Sequence, residues 1–228
     1  MLKSRQVPII DENQTLISKT LLATLVLALS LGLKAVDSSV LDRGKPVEQL
    51  QYSDNIHLHV EHFNQAVKLF HWLDQIQLTE SGAETLRAIK TSGHQLVIYH
   101  SESALLSAGV TGAPLSINLT NGRGEDAYIK FYLNMDTQGS NCVLGKRGQY
   151  IEYTALQNLF HELSHARHKM KGTWLYFDSE GQAIRDENQF RAEWGQFRFK
   201  TFASRYEDAE DEDIVRAVAG KCHQNQTS

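Results

Sequence analysis

A chain of 228 residues is long enough for one domain of ordinary size with short extensions. Its apolar fraction of 41% is normal for a soluble globular protein and too high for a disordered chain. The formal net charge of -4 at pH 7 gives no basic field, so nucleic acid is not expected as a partner. The two cysteines, Cys142 and Cys222, are too few for a disulfide framework and too far apart for a CxxC-type metal site. We expect two free thiols, and the sequence leaves a single bridge open.

The N-terminal extension, residues 1–55, contains an apolar segment at 21–33. This segment is shorter than the roughly 20 residues that a helix needs to span a bilayer. It has the length of the apolar part of a secretory signal, with Ala35 near a cleavage point. A cleaved signal, a membrane-associated segment and a packing helix all remain open. Residues 37–55 are polar and turn-rich, which predicts a linker.

Periodicity then predicts an α+β fold in one domain, residues 56–206. The expected elements are a strand at 56–60, helices at 63–77 and 81–92, a strand at 95–100, a hairpin of 115–119 with 126–135, and a loop at 136–149. The first helix is expected to bury Phe63, Val67, Phe70 and Leu73, and the second to begin at a capping box of Ser81 with Glu84.

A second capping box, Thr154 with Gln157, predicts the start of a helix that Gly172 ends. A further long helix is expected from Glu187 to about Tyr206. The tail at 207–228 begins with a run of carboxylates at 207–213, and this run is expected to be solvated.

The predicted helix after Thr154 carries the sequence His161-Glu-Leu-Ser-His165. Residues four apart lie on one face of a helix, so both imidazoles can bind one zinc ion at roughly 2.0–2.1 Å. Glu162 is placed to take a proton from the water that attacks a carbonyl and to pass it to the leaving amine. Two surface histidines with a solvated glutamate are the alternative, which the capped amphipathic context disfavours. The motif therefore predicts a zinc metallopeptidase, with a small β-sheet packed against the active-site helix in a zincin-like domain.

A third protein ligand is expected from the last helix. Glu187 is favoured because it lies 22 residues after His165, close to the separation in thermolysin-like zinc peptidases. Glu193 stays open as an alternative ligand, or as a residue that orients a histidine.

Other polar residues are less strongly indicated as parts of the active site. His168 is expected to orient a ligand or to lie on the surface. The histidines at 57, 59 and 62 are not expected to bind metal, since strand alternation exposes the first two. The residue that polarises the substrate carbonyl is left open among Tyr176, Arg191 and Tyr206.

Residues 161–173, His-Glu-Leu-Ser-His-Ala-Arg-His-Lys-Met-Lys-Gly-Thr, resemble the active-site segment of NleD-like effector metallopeptidases. The downstream block from Glu187 to Gly195 and the upstream segments 79–86 and 96–98 are also similar to that family. The resemblance implies a bacterial virulence protein that is secreted into a host cell and cleaves host signalling proteins, with mitogen-activated protein kinases as the best-known targets. The apolar segment at 21–33 and the acidic tail depart from a typical injected effector.

The predicted function is thus a zinc-dependent endopeptidase acting on a protein substrate, with a host protein expected. Two alternatives stand beside it. One is an envelope-anchored or secreted bacterial peptidase that acts outside host cells. The other is a catalytically inactive binding protein that keeps the helix.

Overall fold

The computed structural model describes residues 48–101, 109–133, 141–207, 215–216 and 222. The predicted segment at 21–33 lies outside these residues, as does most of the extension. The strands are β1 (Glu48–Ser53), β2 (Ile56–Val60), β3 (Leu96–His100), β4 (Gly109–Gly112), β5 (Ala127–Phe131), β6 (Asn141–Leu144), β7 (Tyr150–Tyr153) and β8 (Val215–Arg216). The helices are α1 (Phe63–Gln77), α2 (Glu80–Lys90), α3 (Ala155–Lys171) and α4 (Ser179–Phe197). The α+β prediction is confirmed.

The larger sheet has five strands in the order β1-β2-β3-β5-β4. β3 is parallel to both β2 and β5, whereas the edge strands β1 and β4 are antiparallel to their neighbours. Strand β1 occupies part of the predicted linker at 37–55, so that prediction is wrong for residues 48–53. Its alternation of Gln49 and Gln51 with the partly buried Leu50 and Tyr52 is the signal of an edge strand.

The core lies between one face of this sheet and the helices. Alternate residues of β2, β3 and β5 are buried there, as the two-residue period of a strand requires: Ile56, Leu58, Val60, Leu96, Ile98, Ala127, Ile129 and Phe131. Helix α1 spans the predicted residues, but Phe63 and Val67 are about half exposed. Its buried side is formed instead by Ala66, Leu69, Trp72, Leu73 and Ile76.

Two local predictions between α1 and β5 are wrong. Helix α2 is capped by Thr79, whose side chain accepts a hydrogen bond from the Gly82 amide, and not by Ser81. The predicted hairpin does not form, because residues 117–119 make a short 3-10 helix and β5 pairs with β3 and β4. This pairing makes β4 the sheet edge that runs beside helix α3.

A second, three-stranded sheet has the order β7-β6-β8. Strand β6 lies inside the predicted loop at 136–149, and β8 lies in the tail after the carboxylate run. Residues 208–213 of that run lie outside the described residues. A disulfide between Cys142 and Cys222 also joins the tail to β6, so the expectation of two free thiols is wrong. Within the part of the chain that the structure describes, no helix is long and apolar enough to cross a membrane.

Candidate metal centre

Helix α3 positions the motif that the sequence singled out. Its capping box is present as predicted: the Thr154 side chain accepts from the Gln157 amide, and Gln157 accepts from the Thr154 amide. The helix ends at Gly172, which has φ 67° and lies so close to Asn118 and Arg123 that a side chain would clash. Almost every residue from 155 to 170 is buried. The motif therefore lies in the protein interior, and the exposed-histidine alternative is wrong for these residues.

His161 and His165 point their Nε2 atoms at each other from successive turns of α3. The two nitrogens are 3.0 Å apart, and the residues are 2% and 5% exposed. Because each neutral imidazole has one lone pair, two converging nitrogens need a proton or a metal ion between them. The helical spacing thus produces the pair of donors that the sequence predicts.

Glu180, in the first turn of α4, completes the group. Its Oε2 is 3.2 Å from His161 Nε2 and its Oε1 is 3.1 Å from His165 Nε2. Donors bound at 2.0–2.1 Å to one tetrahedral zinc ion are about 3.3 Å apart, so the observed spacing fits a zinc ion with little movement. Among the described residues, these three are the one group of His, Cys, Asp or Glu side chains that can hold a metal ion.

The predicted third ligand, Glu187, is not brought to this group. It lies behind His161, where its Oε2 accepts a hydrogen bond from Nδ1 at 3.3 Å. Two guanidinium groups hold this carboxylate, with Arg205 at 2.8 Å and Arg191 at 3.2 Å, and Glu187 is fully buried. A carboxylate on the opposite ring nitrogen fixes the tautomer that leaves Nε2 free for metal. Glu187 therefore orients His161, and orienting a histidine is the role that the sequence had offered to Glu193.

Glu193 and His168 take part in packing between helices. Glu193 accepts hydrogen bonds from the Ser81 amide and hydroxyl, at 2.8 and 2.7 Å, and so joins α4 to α2. Asp186 accepts from Ser164 at 2.6 Å and contacts His168 Nε2 at 3.0 Å, which joins α4 to α3. These contacts determine how α4 presents Glu180 to the two histidines.

The edge strand β4 holds the carboxylate of Glu162. Thr111 donates a hydrogen bond to Glu162 Oε2 at 2.5 Å. Gly109 lies against the same side chain, since a Cβ built there would be 2.5 Å from Glu162 Cγ. Lys169, one turn after His165, donates to the Thr111 carbonyl at 2.8 Å and lies 4.0 Å above the Trp174 ring. Glu162 is thus held by strand β4 beside the two histidines that flank it in sequence.

The pocket stabilises one positive charge where the two rings meet Glu180. Burial by itself lowers the pKa of His161, but hydrogen bonds to Glu180 and Glu187 outweigh it and raise the pKa to about 10. Burial lowers the pKa of His165 to about 4, although Glu180 opposes this shift. Burial raises the pKa of Glu180, but the two histidines outweigh it and hold that pKa well below its usual value. The three side chains thus favour a positive charge at the point where they meet, which a bound cation would supply.

The three residues that could polarise a substrate carbonyl differ in how exposed they are. Arg191 is 1% exposed and donates to the carbonyl oxygens of Glu152 and Ala203, so it is a structural residue. Tyr176 and Tyr206 are 51% and 42% exposed. His57 contacts Gln95 at 2.7 Å and belongs to the sheet face away from the site, as expected.

Sequence reasoning missed Glu180 because it placed the start of the last helix at Glu187. A usable signal exists: Ile184, Glu187 and Arg191 follow Glu180 at intervals of three or four residues, which is one helix face. Thr111, Gly109 and Arg205 had no comparable signal, because they reach the site through long-range contacts.

The fold thus brings together three side chains that could hold a metal ion, with a fourth, Glu162, beside them. No protein-family model and no curated protein sequence matches the chain. Parts of several solved botulinum neurotoxin light chains align with it. The type G light chain has 11% identity and a TM-score of 0.44, over 79% of this chain and 66% of that chain. The zinc-removed apo form of the type C light chain has 10% identity and a TM-score of 0.40, over 64% and 56%.

A third alignment, with the serotype HA light chain, has 15% identity and a TM-score of 0.36, over 48% and 35%. The chain therefore spans between about a third and two thirds of the length of the light chains that it matches. At this level of likeness, the activity of the chain must be argued from its own residues.

Proposed function

We propose that the protein is a zinc-dependent endopeptidase. The observation that carries the proposal is the convergence of His161 Nε2, His165 Nε2 and the Glu180 carboxylate within 4.8 Å of one another. Two imidazoles and one carboxylate are a common donor set of catalytic zinc, which keeps one further position for water or substrate. In this proposal Glu180 replaces Glu187 as the third ligand.

His161, His165 and Glu180 would hold the ion. When bound, zinc supplies a Lewis acid that lowers the pKa of water and polarises a carbonyl oxygen. Glu162 acts as general base: its carboxylate takes a proton from the attacking water and returns it to the nitrogen of the leaving amine. Thr111 keeps the carboxylate in one orientation, and burial of the surrounding residues excludes bulk water from the proton transfer.

We propose a class of natural substrate and not an individual protein. The resemblance of residues 161–173 to NleD-like effectors supports a host protein as substrate, signalling kinases among them, and secretion into a host cell. These remain proposals that the resemblance alone supports. They are tested by sequencing new protein N-termini in host lysate treated with the wild type or with Glu162→Gln.

The disulfide favours a second candidate, an envelope-anchored or secreted peptidase that acts outside host cells. Bridges such as Cys142–Cys222 persist in oxidising compartments and are rare in the cytosol. Mass analysis of the chain purified from its source decides between the two. A mature N-terminus near Ala35 and an intact bridge would favour the second candidate.

The experiment that tests the peptidase proposal compares the wild type with Glu162→Gln. The variant should keep about one zinc per chain and lose at least roughly 100-fold in kcat, because an amide cannot accept the proton of the attacking water. A chain that binds no zinc, or a variant that still cleaves, would contradict the proposal. A wild type that binds zinc but cleaves nothing would instead support the inactive binding protein.

A further inference from the structure

Two loops beside the site expose large apolar side chains. The first loop follows β4 and exposes Leu115 and Ile117, at 89% and 76%. The second joins α3 to α4 and exposes Leu175, Tyr176 and Phe177, at 46%, 51% and 107%. We call these five residues the apolar rim. Exposed clusters of this kind are uncommon on soluble proteins and mark binding surfaces.

The two loops are held together by main-chain hydrogen bonds. The Trp174 amide donates to the Leu119 carbonyl at 2.9 Å, and the Gly122 amide donates to the Gly172 carbonyl at 3.0 Å. Each bond joins the loop that carries one half of the rim to the loop that carries the other half. The rim is therefore one surface formed by two adjacent loops.

The rim is continuous with the metal centre. The Trp174 ring lies 5.3 Å from the His165 ring, between that ligand and the exposed residues at 175–177. Phe177 precedes the ligand Glu180 by three residues, and Leu115 follows Thr111, the partner of Glu162, by four. The rim therefore adjoins the site, where a chain bound beside Glu162 can reach it.

The charge of the rim differs from the charge of the site. No Asp, Glu, Lys or Arg occurs at 109–122 or at 172–177, whereas Glu162, Lys169 and Glu180 lie immediately behind. Peripheral membrane surfaces usually combine exposed apolar residues with Lys or Arg. The charged residues that flank the rim are of both signs, Arg123 and Lys171 with Glu125 and Asp178, and do not form a basic cluster. The contact of Trp174 with the His165 ring favours a peptide as the occupant.

We propose that the apolar rim binds large apolar side chains of an extended substrate segment next to the cleaved bond. The peptidase then binds unfolded or flexible segments rich in Leu, Ile, Phe or Tyr, and binds charged segments more weakly. This inference rests on the proposed peptidase function and adds the substrate class to it. Burial of Phe177 and Leu175 against such side chains supplies the selectivity.

The test measures peptide binding without turnover. In the full chain carrying Glu162→Gln, fluorescence anisotropy is recorded with a labelled peptide rich in Leu and Phe and with a matched peptide carrying Ser at the same positions. The apolar peptide should bind about tenfold more tightly or better. Leu175→Ser with Phe177→Ser should remove that preference. Phe199→Ser is the control, since Phe199 is 99% exposed but follows the far end of α4.

Turnover by the wild type separates the two proposals. Cleavage sites in an unfolded protein should be enriched in apolar residues, and the rim double variant should raise KM about tenfold with kcat unchanged. Cleavage with no enrichment, or with kinetics that the double variant leaves unchanged, overturns the rim proposal and leaves the peptidase standing. Rim-dependent peptide binding without any cleavage overturns the peptidase and leaves a binding surface. Rim-dependent pelleting with phosphatidylcholine–phosphatidylserine vesicles, with peptide binding unaffected, identifies the rim as a membrane surface and overturns the proposal.

Discussion

Glu180→Gln should weaken zinc binding more than Glu187→Gln does, whereas Glu187→Gln should lower the free energy of unfolding more than Glu180→Gln does. Glu180 lies among the donors and its side chain is 33% exposed, whereas Glu187 is completely buried between two arginines. Glu180→Gln should weaken zinc binding by more than about 100-fold, because it removes a donor. Glu187→Gln should weaken it by about 10–100-fold, the usual cost of losing the group that orients a histidine.

The free energy of unfolding should change in the reverse order. Glu187 neutralises Arg205 at 2.8 Å and Arg191 at 3.2 Å in a site closed to water. Removing one partner of a buried ion pair costs about 3–5 kcal/mol, and Gln keeps one acceptor, so about 3 kcal/mol is expected. Glu180→Gln should cost about 1 kcal/mol in the absence of zinc, since the Glu180 side chain is partly solvated.

Competitive zinc titration and urea unfolding of the chelator-treated protein measure the two quantities. Glu193→Gln is the matched control, because it changes a carboxylate on the same helix that joins α4 to Ser81 and not to the site. Its zinc affinity should equal that of the wild type. The ligand assignment fails if Glu187→Gln strips the metal while Glu180→Gln retains it.

Three further predictions concern the surroundings of the site. Thr111→Val should lower kcat about tenfold with zinc content unchanged, because it removes the hydrogen bond to the Glu162 carboxylate. An unchanged kcat would show that Thr111 does not position Glu162. Lys169 has a folded pKa of about 8 against 10.5 unfolded, because burial disfavours its charge. Between these two values the unfolded chain binds more protons than the folded one, so the folded state becomes more stable as pH rises. Urea unfolding of the chelator-treated protein should show a gain of up to about 3 kcal/mol between pH of about 8 and 10.5. Lys169→Met should lack that gain. Cys142→Ser should lower the free energy of unfolding by about 4 kcal/mol under oxidising conditions, since the bridge spans 80 residues. A reducing agent should destabilise the wild type and leave this variant unchanged.

The parts of the fold that were predictable from sequence are those that depend on local interactions. Helix α3 was predicted from Thr154 to Gly172 because its cap, its apolar period and its terminal glycine are all near neighbours in sequence. Strands β2 and β3 were predicted in the same way, from alternation and from β-branched residues. The donor pair His161 and His165 needed only the geometry of one helix.

The rest depends on how distant segments meet. The start of α4 lacks a capping signal, because Asp178 makes no side-chain cap bond and the first turn is polar, so only the spacing of later residues on one helix face indicates it. Its true start at Ser179 moves Glu180 from an assumed connector into the donor set. Gly109 and Thr111 reach Glu162 only because β4 pairs antiparallel with β5. That pairing cannot be predicted from a local sequence pattern.

The three donors come from both sides of an αα-hairpin, and this has a consequence for how long an ion stays bound. Two donors lie in the middle of α3, and the third lies in the first turn of α4, after the loop at 172–178. Opening that single turn removes one donor of three without disturbing the others, so the rate of metal loss would follow the local opening rate of the turn and not global unfolding. In return, an ion at about 100 times its Kd would stabilise the closed hairpin by about 2.7 kcal/mol. The time for which the ion stays bound would thus report how rarely the first turn of α4 opens. A protease cut in the exposed loop at 172–178 would shorten that time.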